Sequence, residues 1–394
     1  MTPAARVQSA IELLDAVIAA ARAQSAPADR ILADWFKAHR FAGSKDRRAI
    51  RDLVYDAIRA CGPVPASGRA AMLRLAEARP ELAATFDGSP YGPAAIAADE
   101  PVASGGAVPE WLAAALRNSG IGNKVMASLS ARAPLDVRVN ALKTERSALA
   151  LPQPGEPLPT PHGLRFASGT PVESWPEYAD GLIEVQDLGS QLIVEALPIG
   201  AGDTIIDLCA GAGGKTLALA ARLGNAAEII AADTDKRRLG NLAPRAARAG
   251  ARIAHTVLLD PGREMAALEQ WRGGCDHVLV DAPCSGSGTW RRSPEARWRI
   301  DNAALARLTA LQDHVLDLAA QLVRPGGTIG FVTCSLLDAE GPMRIAAFLA
   351  RHPDWRTEPL HIAAPTTPRG GGERLDPVTT GSDGFFVALL KAPC

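Results

Sequence analysis

Two cysteines hold the clearest chemistry in this sequence. Cys284 lies in Asp281-Ala282-Pro283-Cys284-Ser285-Gly286-Ser287-Gly288, and Cys334 in Thr333-Cys334-Ser335. Each follows an apolar run that reads as a strand, His277–Asp281 and Thr328–Thr333. In open parallel sheets, ligands bind at the carboxyl ends of strands, so both thiols are expected on one working edge. A thiolate can add to carbon 6 of a pyrimidine and make carbon 5 nucleophilic enough to accept a methyl group. A second thiol can then assist breakdown of the adduct. A thiol is mostly protonated at neutral pH, so Lys215 or a helix N-terminus is expected to help ionise it.

A glycine-rich turn follows an earlier strand, Thr204–Leu208. It reads Cys209-Ala210-Gly211-Ala212-Gly213-Gly214-Lys215-Thr216. Glycines there let the backbone approach a ligand, and the following helix offers N–H groups. The turn lacks the third glycine of the dinucleotide fingerprint and the spacing of a P-loop. A nucleoside cofactor without a pyrophosphate fits better, with S-adenosylmethionine the natural candidate. Asp233 ends the next strand, Ile229–Ala232, about 20 residues on, where an acid suits a ribose diol; the alternative is a plain helix N-cap. Asp260 precedes Pro261-Gly262 after a third strand, Ile253–Leu259, and could be a simple turn residue.

These residues need a scaffold of alternating strands and helices. From about residue 176 the expected order is strand, helix (Lys215–Arg222), strand, helix (Arg237–Ala249), two strands, a long helix over 303–323 and a fifth strand. That pattern predicts a parallel, doubly wound α/β sheet. Gly384–Leu390 reads as a late strand with no helix after it. Upstream, residues 4–60 carry helical periodicity, 80–106 read as a linker, and Leu135–Asn140 alternates like a strand.

Composition bounds the rest. The 394 residues carry 42 Lys+Arg against 43 Asp+Glu, with 47% hydrophobic and 22% charged residues. This is a globular composition for two or three domains. No apolar run is long enough to predict a membrane span. Glu12 and Asp15 within Met1–Arg22 point to a helix and no secretory signal. The six cysteines show neither CxxC nor zinc spacing, so a cytoplasmic protein with free thiols and no metal is expected. Nothing suggests an obligate oligomer, and a monomer is expected.

Neutral overall charge does not by itself indicate nucleic acid. The cations are 35 Arg and 7 Lys, however, and two clusters stand out. Lys37, Arg40, Lys45, Arg47, Arg48 and Arg51 lie among the first helices, as a solvated face or an RNA contact. Trp290, Arg291, Arg292, Arg297, Trp298 and Arg299 follow the Cys284 loop. Such interleaving suits RNA phosphates and stacked bases, or else a core with both tryptophans inside.

Several of these stretches occur together and in order: Gln186-Asp187 with Ser190-Gln191, the CAGAGGK turn, DAPCSGSGTWRRSPEARWR, VTCS and DGFF. In them, residues 176–394 resemble the catalytic domain of the Sun-domain, RsmB-type RNA cytosine-5 methyltransferases. The resemblance implies a class I (Rossmann-like) methyltransferase fold that uses S-adenosylmethionine. It implies Cys334 as nucleophile and Cys284 as promoter of release, with Lys215 and Asp281 orienting or polarising the cytosine. Cofactor contacts would fall on Cys209–Lys215, Asp233, Asp260 and Asp281. Family members often have Pro where this chain has Ala212, which loosens the turn without removing a reacting group. Target cytosines would be flipped out or taken from single-stranded loops.

The stretches PEWLAAALR and DVRVNALKT resemble the small α/β module that precedes this domain in the family. Residues 1–80 resemble its helical, NusB-like RNA-binding domain, best in SKDRRAIRDLVYDAIR. The expected organisation is therefore 1–105 helical with a linker, 106–175 a small RNA-binding module, and 176–394 the methyltransferase domain. Arg291, Arg292, Arg297, Arg299, Lys45, Arg47 and Arg48 are the expected RNA contacts. The expected activity is 5-methylcytosine formation in small-subunit rRNA. Alternatives are a tRNA methyltransferase, a non-catalytic RNA-binding assembly factor, and a DNA cytosine methyltransferase, in which Cys284 of the Pro-Cys motif would attack.

Overall fold

Apolar residues at three- and four-residue steps fold the first 80 residues into α1 (Pro3–Arg22), α2 (Ala28–Ala38), α3 (Ser44–Ala60) and α4 (Gly68–Ala78). Their stripes meet in one core, where Leu13, Leu14, Leu32, Ile50, Ile58 and Met72 are fully buried. Gly68 opens α4 against α1. A Cβ there would stand 2.2 Å from the Ile11 carbonyl oxygen, so glycine is what allows the approach.

The structure is a computed structural model and describes residues 1–394. Contacts divide the chain into two compact units: Met1–Ala131 with Thr289–Asn302, and Arg132–Gly288 with Ala303–Cys394. The division does not fall at 105 and 175. Helices Glu110–Asn118 and Asn123–Ser128 group with α1–α4, while the strands after them group with the large sheet. Residues 289–302 also join the helical unit, because Trp298 is buried in the same core as Leu13 and Ile58.

The second unit begins with a four-stranded antiparallel sheet: β1 (Leu135–Val139), β2 (Glu156–Pro157), β3 (Gly163–Phe166) and β4 (Ile183–Val185), in the order β2-β3-β1-β4. It packs Val137, Val139, Phe166, Trp175 and Ile183 together. The large sheet then takes β5 (Thr204–Asp207), β6 (Glu228–Asp233), β7 (His255–Leu258), β8 (Cys275–Asp281), β9 (Val323–Thr333), β10 (Arg356–Glu358), β11 (Thr367–Arg369), β12 (Gly372–Leu375) and β13 (Phe385–Lys391). Their order is β11-β12-β13-β9-β8-β5-β6-β7, with β10 beside β13.

Strands β7, β6, β5, β8 and β9 are parallel, and Ile205, Ile206, Ile229, Ile230, Val278 and Val280 are buried, as a sheet covered on both faces requires. The sheet is not parallel throughout: β13 runs antiparallel to β9 and to β12, and no helix lies between β12 and β13. The helix expected over 237–249 is two, Lys236–Leu239 and Leu242–Ala249, broken at Gly240-Asn241. No helix is long and apolar enough to cross a membrane.

Candidate active site

From β5 the chain steps outward to β6 and β7, then returns to the other flank of β5 as β8 and β9. The reversal lies between β5 and β8, the place where open α/β sheets bind ligands. Asp233, Asp207 and Asp281 end β6, β5 and β8, and Cys334 directly follows β9. Strand order thus gathers residues as far apart in sequence as Asp207 and Cys334.

Because β8 and β9 are parallel neighbours, the turns after them meet. The Cys284 and Cys334 sulfurs are 3.3 Å apart, and both thiols are half-buried. The contact with Cys334 and burial hold the Cys284 pKa well above the usual thiol range, with the Glu340 charge adding to the effect. Cys284 therefore keeps its proton, and the 3.3 Å contact allows either sulfur to donate.

A cavity of about 380 Å³ opens beside the pair, lined by Cys209, Asp233, Asp281, Pro283, Cys284 and Cys334 among others. Gly211 and Gly213 have left-handed backbones, φ 55° and 86°, which bend the turn before helix Gly214–Arg222. A Cβ on Gly213 would meet Leu242 at 2.1 Å. Asp233 accepts the Gly211 N–H at 2.7 Å and the Asp235 N–H at 2.7 Å, yet still lines the cavity. It is not the helix N-cap; Asp235 fills that role. A carboxylate has about four acceptor sites, so a diol can still be held. Cys209 is half-buried on the cavity wall, and burial with the charges of Asp207, Asp233 and Asp281 keeps its thiol protonated.

Lys215 is buried on the first turn of its helix, and its Nζ pairs with Asp281 Oδ2 at 2.6 Å. The ammonium also lies 5.5 Å from the Phe385 ring centroid. The motif residues around this centre are braces. Gln186 Nε2 donates to the Gly214 carbonyl at 3.2 Å, and Asp187 accepts the Asp383 N–H at 3.1 Å, tying the glycine turn and the DGFF stretch to the sheet.

Asp207 lies beneath the turn. Its Oδ2 accepts from Thr216 Oγ1 at 2.6 Å, while the buried Oδ1 has no partner. Burial pushes this carboxyl up to about 7 from its ordinary 3.8. A carboxyl raised by folding costs nothing while both states are protonated and destabilises the fold as pH climbs from about 4 through about 7. Asp207→Asn is therefore expected to gain stability relative to the parent over that window, by at most about 4 kcal/mol. Denaturation midpoints across the pH series check this; a constant difference between the two proteins would contradict it.

Not every expected residue reaches the cavity. Asp260 is exposed and does not line it. β7 stops at Leu258, Leu259 takes the lining position, and Pro261-Gly262 turn the chain away, with the Asp260 carbonyl accepting from Arg263 N–H at 2.9 Å. Arg238, Glu264, Leu311 and Val315 line the cavity without having been expected. Arg238 and Glu264 follow strand ends, which is the signal that could have found them. Leu311 and Val315 come from the helix over 302–322 and carry no local mark.

The expected RNA-facing arginines after the Cys284 loop need correction. Arg297 is 1% exposed and its Nη2 donates to the carbonyls of Ile58 and Cys61, at 2.7 and 2.8 Å. Arg291 is buried, and Arg299 donates to the carbonyls of Ser25 and Ala26. Of the four, Arg292 and Arg299 are partly exposed, and both tryptophans are core. In the other cluster Lys45 and Arg48 are exposed, while Arg47 donates to the Ala42 carbonyl and sits over Phe36.

Residues 194–391 match the family described as 16S rRNA methyltransferase RsmB/F. A probable ribosomal RNA small subunit methyltransferase B of Synechocystis sp. is 37% identical over 277 residues, 65% of this chain and 60% of that protein. The ribosomal RNA small subunit methyltransferase B of Klebsiella pneumoniae is 36% identical over 232 residues, 58% of this chain and 51% of that protein. The chain thus spans a little over half the length of these relatives. Among solved structures, PH0851 superposes with a TM-score of 0.75 at 23% identity, covering 99% of both chains. NSun6 from Pyrococcus horikoshii, solved with SFG, gives a TM-score of 0.62 at 20% identity, covering 72% of this chain and 98% of that one. These two likenesses show a shared fold, and the matched domain, which spans half of the chain, places it: the chain belongs to the RsmB/F family of 16S rRNA methyltransferases.

Proposed function

We propose that this protein is an S-adenosylmethionine-dependent RNA methyltransferase that forms 5-methylcytosine in small-subunit (16S) rRNA. The observation that carries the reading is the thiol pair, 3.3 Å apart at the edge of a cavity that also holds Asp233 and Asp281. The cofactor's methyl-bearing sulfonium supplies the methyl group. The rest is the work of this chain's residues. Asp233 and the Gly211–Gly213 turn suit the ribose and the backbone-facing side of a nucleoside, and Lys215 with Asp281 orients the cytosine. The Cys334 thiolate adds through sulfur to carbon 6, and the electron pair of the broken carbon 5–carbon 6 π bond goes to carbon 5, the atom that takes the methyl group. Loss of the carbon 5 proton to water then breaks the sulfur–carbon 6 bond and returns the Cys334 thiolate. Cys284 donates to that sulfur, favouring the thiolate both before attack and as it departs. Lys45 and Arg48 are the RNA contacts in the helical unit.

The test is transfer of labelled methyl groups from S-adenosylmethionine to purified 16S rRNA and, separately, to tRNA, followed by bisulfite sequencing. Label in rRNA at a bisulfite-resistant cytosine is the expected result. Label confined to tRNA would overturn the substrate, and no transfer to either RNA would overturn the enzyme.

A further inference from the structure

Behind the two thiols lies a second cluster, fully buried and built on one carboxylate. Glu340 sits in the turn Asp338–Glu340, seven residues past the end of β9, and is 0% exposed. Its Oε1 accepts the Ser285 N–H at 2.8 Å and Gln312 Nε2 at 3.1 Å. Its Oε2 accepts the hydroxyls of Ser285 at 2.5 Å and Ser335 at 2.6 Å. Four donors on one carboxylate are what makes a buried charge tolerable.

The donors are not scattered. Ser285 directly follows Cys284, and Ser335 directly follows Cys334. Gln312 also donates to the carbonyl of Pro283, the residue before Cys284. Ser287 completes the tie, with its hydroxyl 2.9 Å from that of Ser335 and accepting the Leu336 N–H. The Ser285 and Ser335 hydroxyls, 3.4 Å apart, and the Gly288 N–H, which donates to the Cys334 carbonyl at 3.0 Å, also join the two turns, while Glu340 binds the residue after each cysteine at once. Strand pairing ends at Asp281 with Val332, before either cysteine. Without the carboxylate the residues that follow the two cysteines would lose the one group that both of them bind.

We propose that Glu340 is the positioning residue of the thiol pair: its single carboxylate binds the residue after each cysteine and so sets the separation of the two sulfurs. The proposal rests on the reading of Cys284 and Cys334 as the reacting thiols, but its test needs neither RNA nor cofactor. Glu340 also acts through its charge, since it adds to the effects that keep Cys284 protonated. The other groups that bear on that thiol are Cys334 from the β9 turn and the Gly286 N–H on its own loop, with Asp281, paired to Lys215, on the cavity wall.

The experiment treats the full chain with iodoacetamide over a series of alkaline pH values and reads each cysteine by peptide mass spectrometry. Glu340→Gln, close to isosteric but uncharged, is expected to lower the midpoint of Cys284 alkylation by about one pH unit, with Cys209 unchanged as an internal control. Ser335→Ala, which cuts one arm of the tie and keeps the charge, is expected to slow bridging of Cys284 to Cys334 by dibromobimane at least about threefold. An unchanged Cys284 midpoint in folded Glu340→Gln overturns the proposal. If that variant does not fold, unchanged bridging in Ser335→Ala overturns it. A protein that fails to methylate RNA but shows both shifts would sink the enzyme reading and leave the positioning role standing.

Discussion

Cys334→Ala is expected to abolish both methyl transfer and the covalent protein–RNA adduct, whereas Cys284→Ala is expected to accumulate the adduct. The asymmetry comes from the proton. In the proposed reaction Cys284, held protonated by its partner and by burial, donates across the 3.3 Å contact. A protonated thiol is a poor nucleophile and a good hydrogen-bond donor, so the sulfur that receives the bond is the one suited to attack. Removing that sulfur removes the bond to carbon 6, and the loss of rate is expected to be at least about 10⁴-fold, as when other covalent enzymes lose their nucleophile. Removing Cys284 leaves the nucleophile in place but strips its leaving thiolate of a hydrogen bond. Denaturing gels of RNA incubated with each variant and S-adenosylmethionine read both outcomes. An adduct from Cys334→Ala and none from Cys284→Ala would place the nucleophile in the Pro-Cys turn, as in the DNA-modifying alternative.

The cysteine pair was legible from sequence because strand order alone brings the two thiols to one edge. Two apolar runs each ended in a thiol, and a parallel sheet puts adjacent strand ends side by side. Asp233 and Asp281 were legible for the same reason. What failed was whatever depended on how far a chain runs past a strand. Asp260 looked like a third acid at a third strand end, but β7 is one residue shorter than that reading needs, and Pro261-Gly262 carry it away from the cavity. Glu340 had no signal at all. It is an acid in a turn, indistinguishable in sequence from its neighbour Asp338, which pairs with Arg369 and Arg374 instead, and its partners are serines whose role is fixed only by folding. The late antiparallel β13 was visible as an apolar run without a following helix, yet the pairing of its neighbours β10, β11 and β12 was not, because strands of three or four residues carry too little alternation to be read.

Arg297→Ala is expected to destabilise the helical unit by about 3 kcal/mol while leaving the salt dependence of RNA binding unchanged. Composition favoured the opposite, since arginines interleaved with tryptophans suit RNA. In the structure the same segment is a set of helix caps. Arg297 donates to the carbonyls of Ile58 and Cys61 at the carboxyl end of α3, where unpaired carbonyls and the helix dipole both favour a cation. Glu295 accepts the Ala28 N–H at the start of α2, where an anion is favoured. Arg299 ties down the carbonyls between α1 and α2, and Trp298 Nε1 donates to the Gly62 carbonyl at 3.3 Å. Burial lowers the Arg297 guanidinium to about 10, still charged at neutral pH, so its loss leaves two carbonyls without their donor and a cavity beside Trp298. Lys45→Ala makes the contrast. Lys45 is exposed at the start of α3, and its removal is expected to change stability little but to reduce the slope of log affinity against log salt by about 0.7–0.9. Denaturation and salt titrations on both variants separate the two roles. An Arg297→Ala protein of parental stability with a reduced salt slope would return that side chain to the RNA.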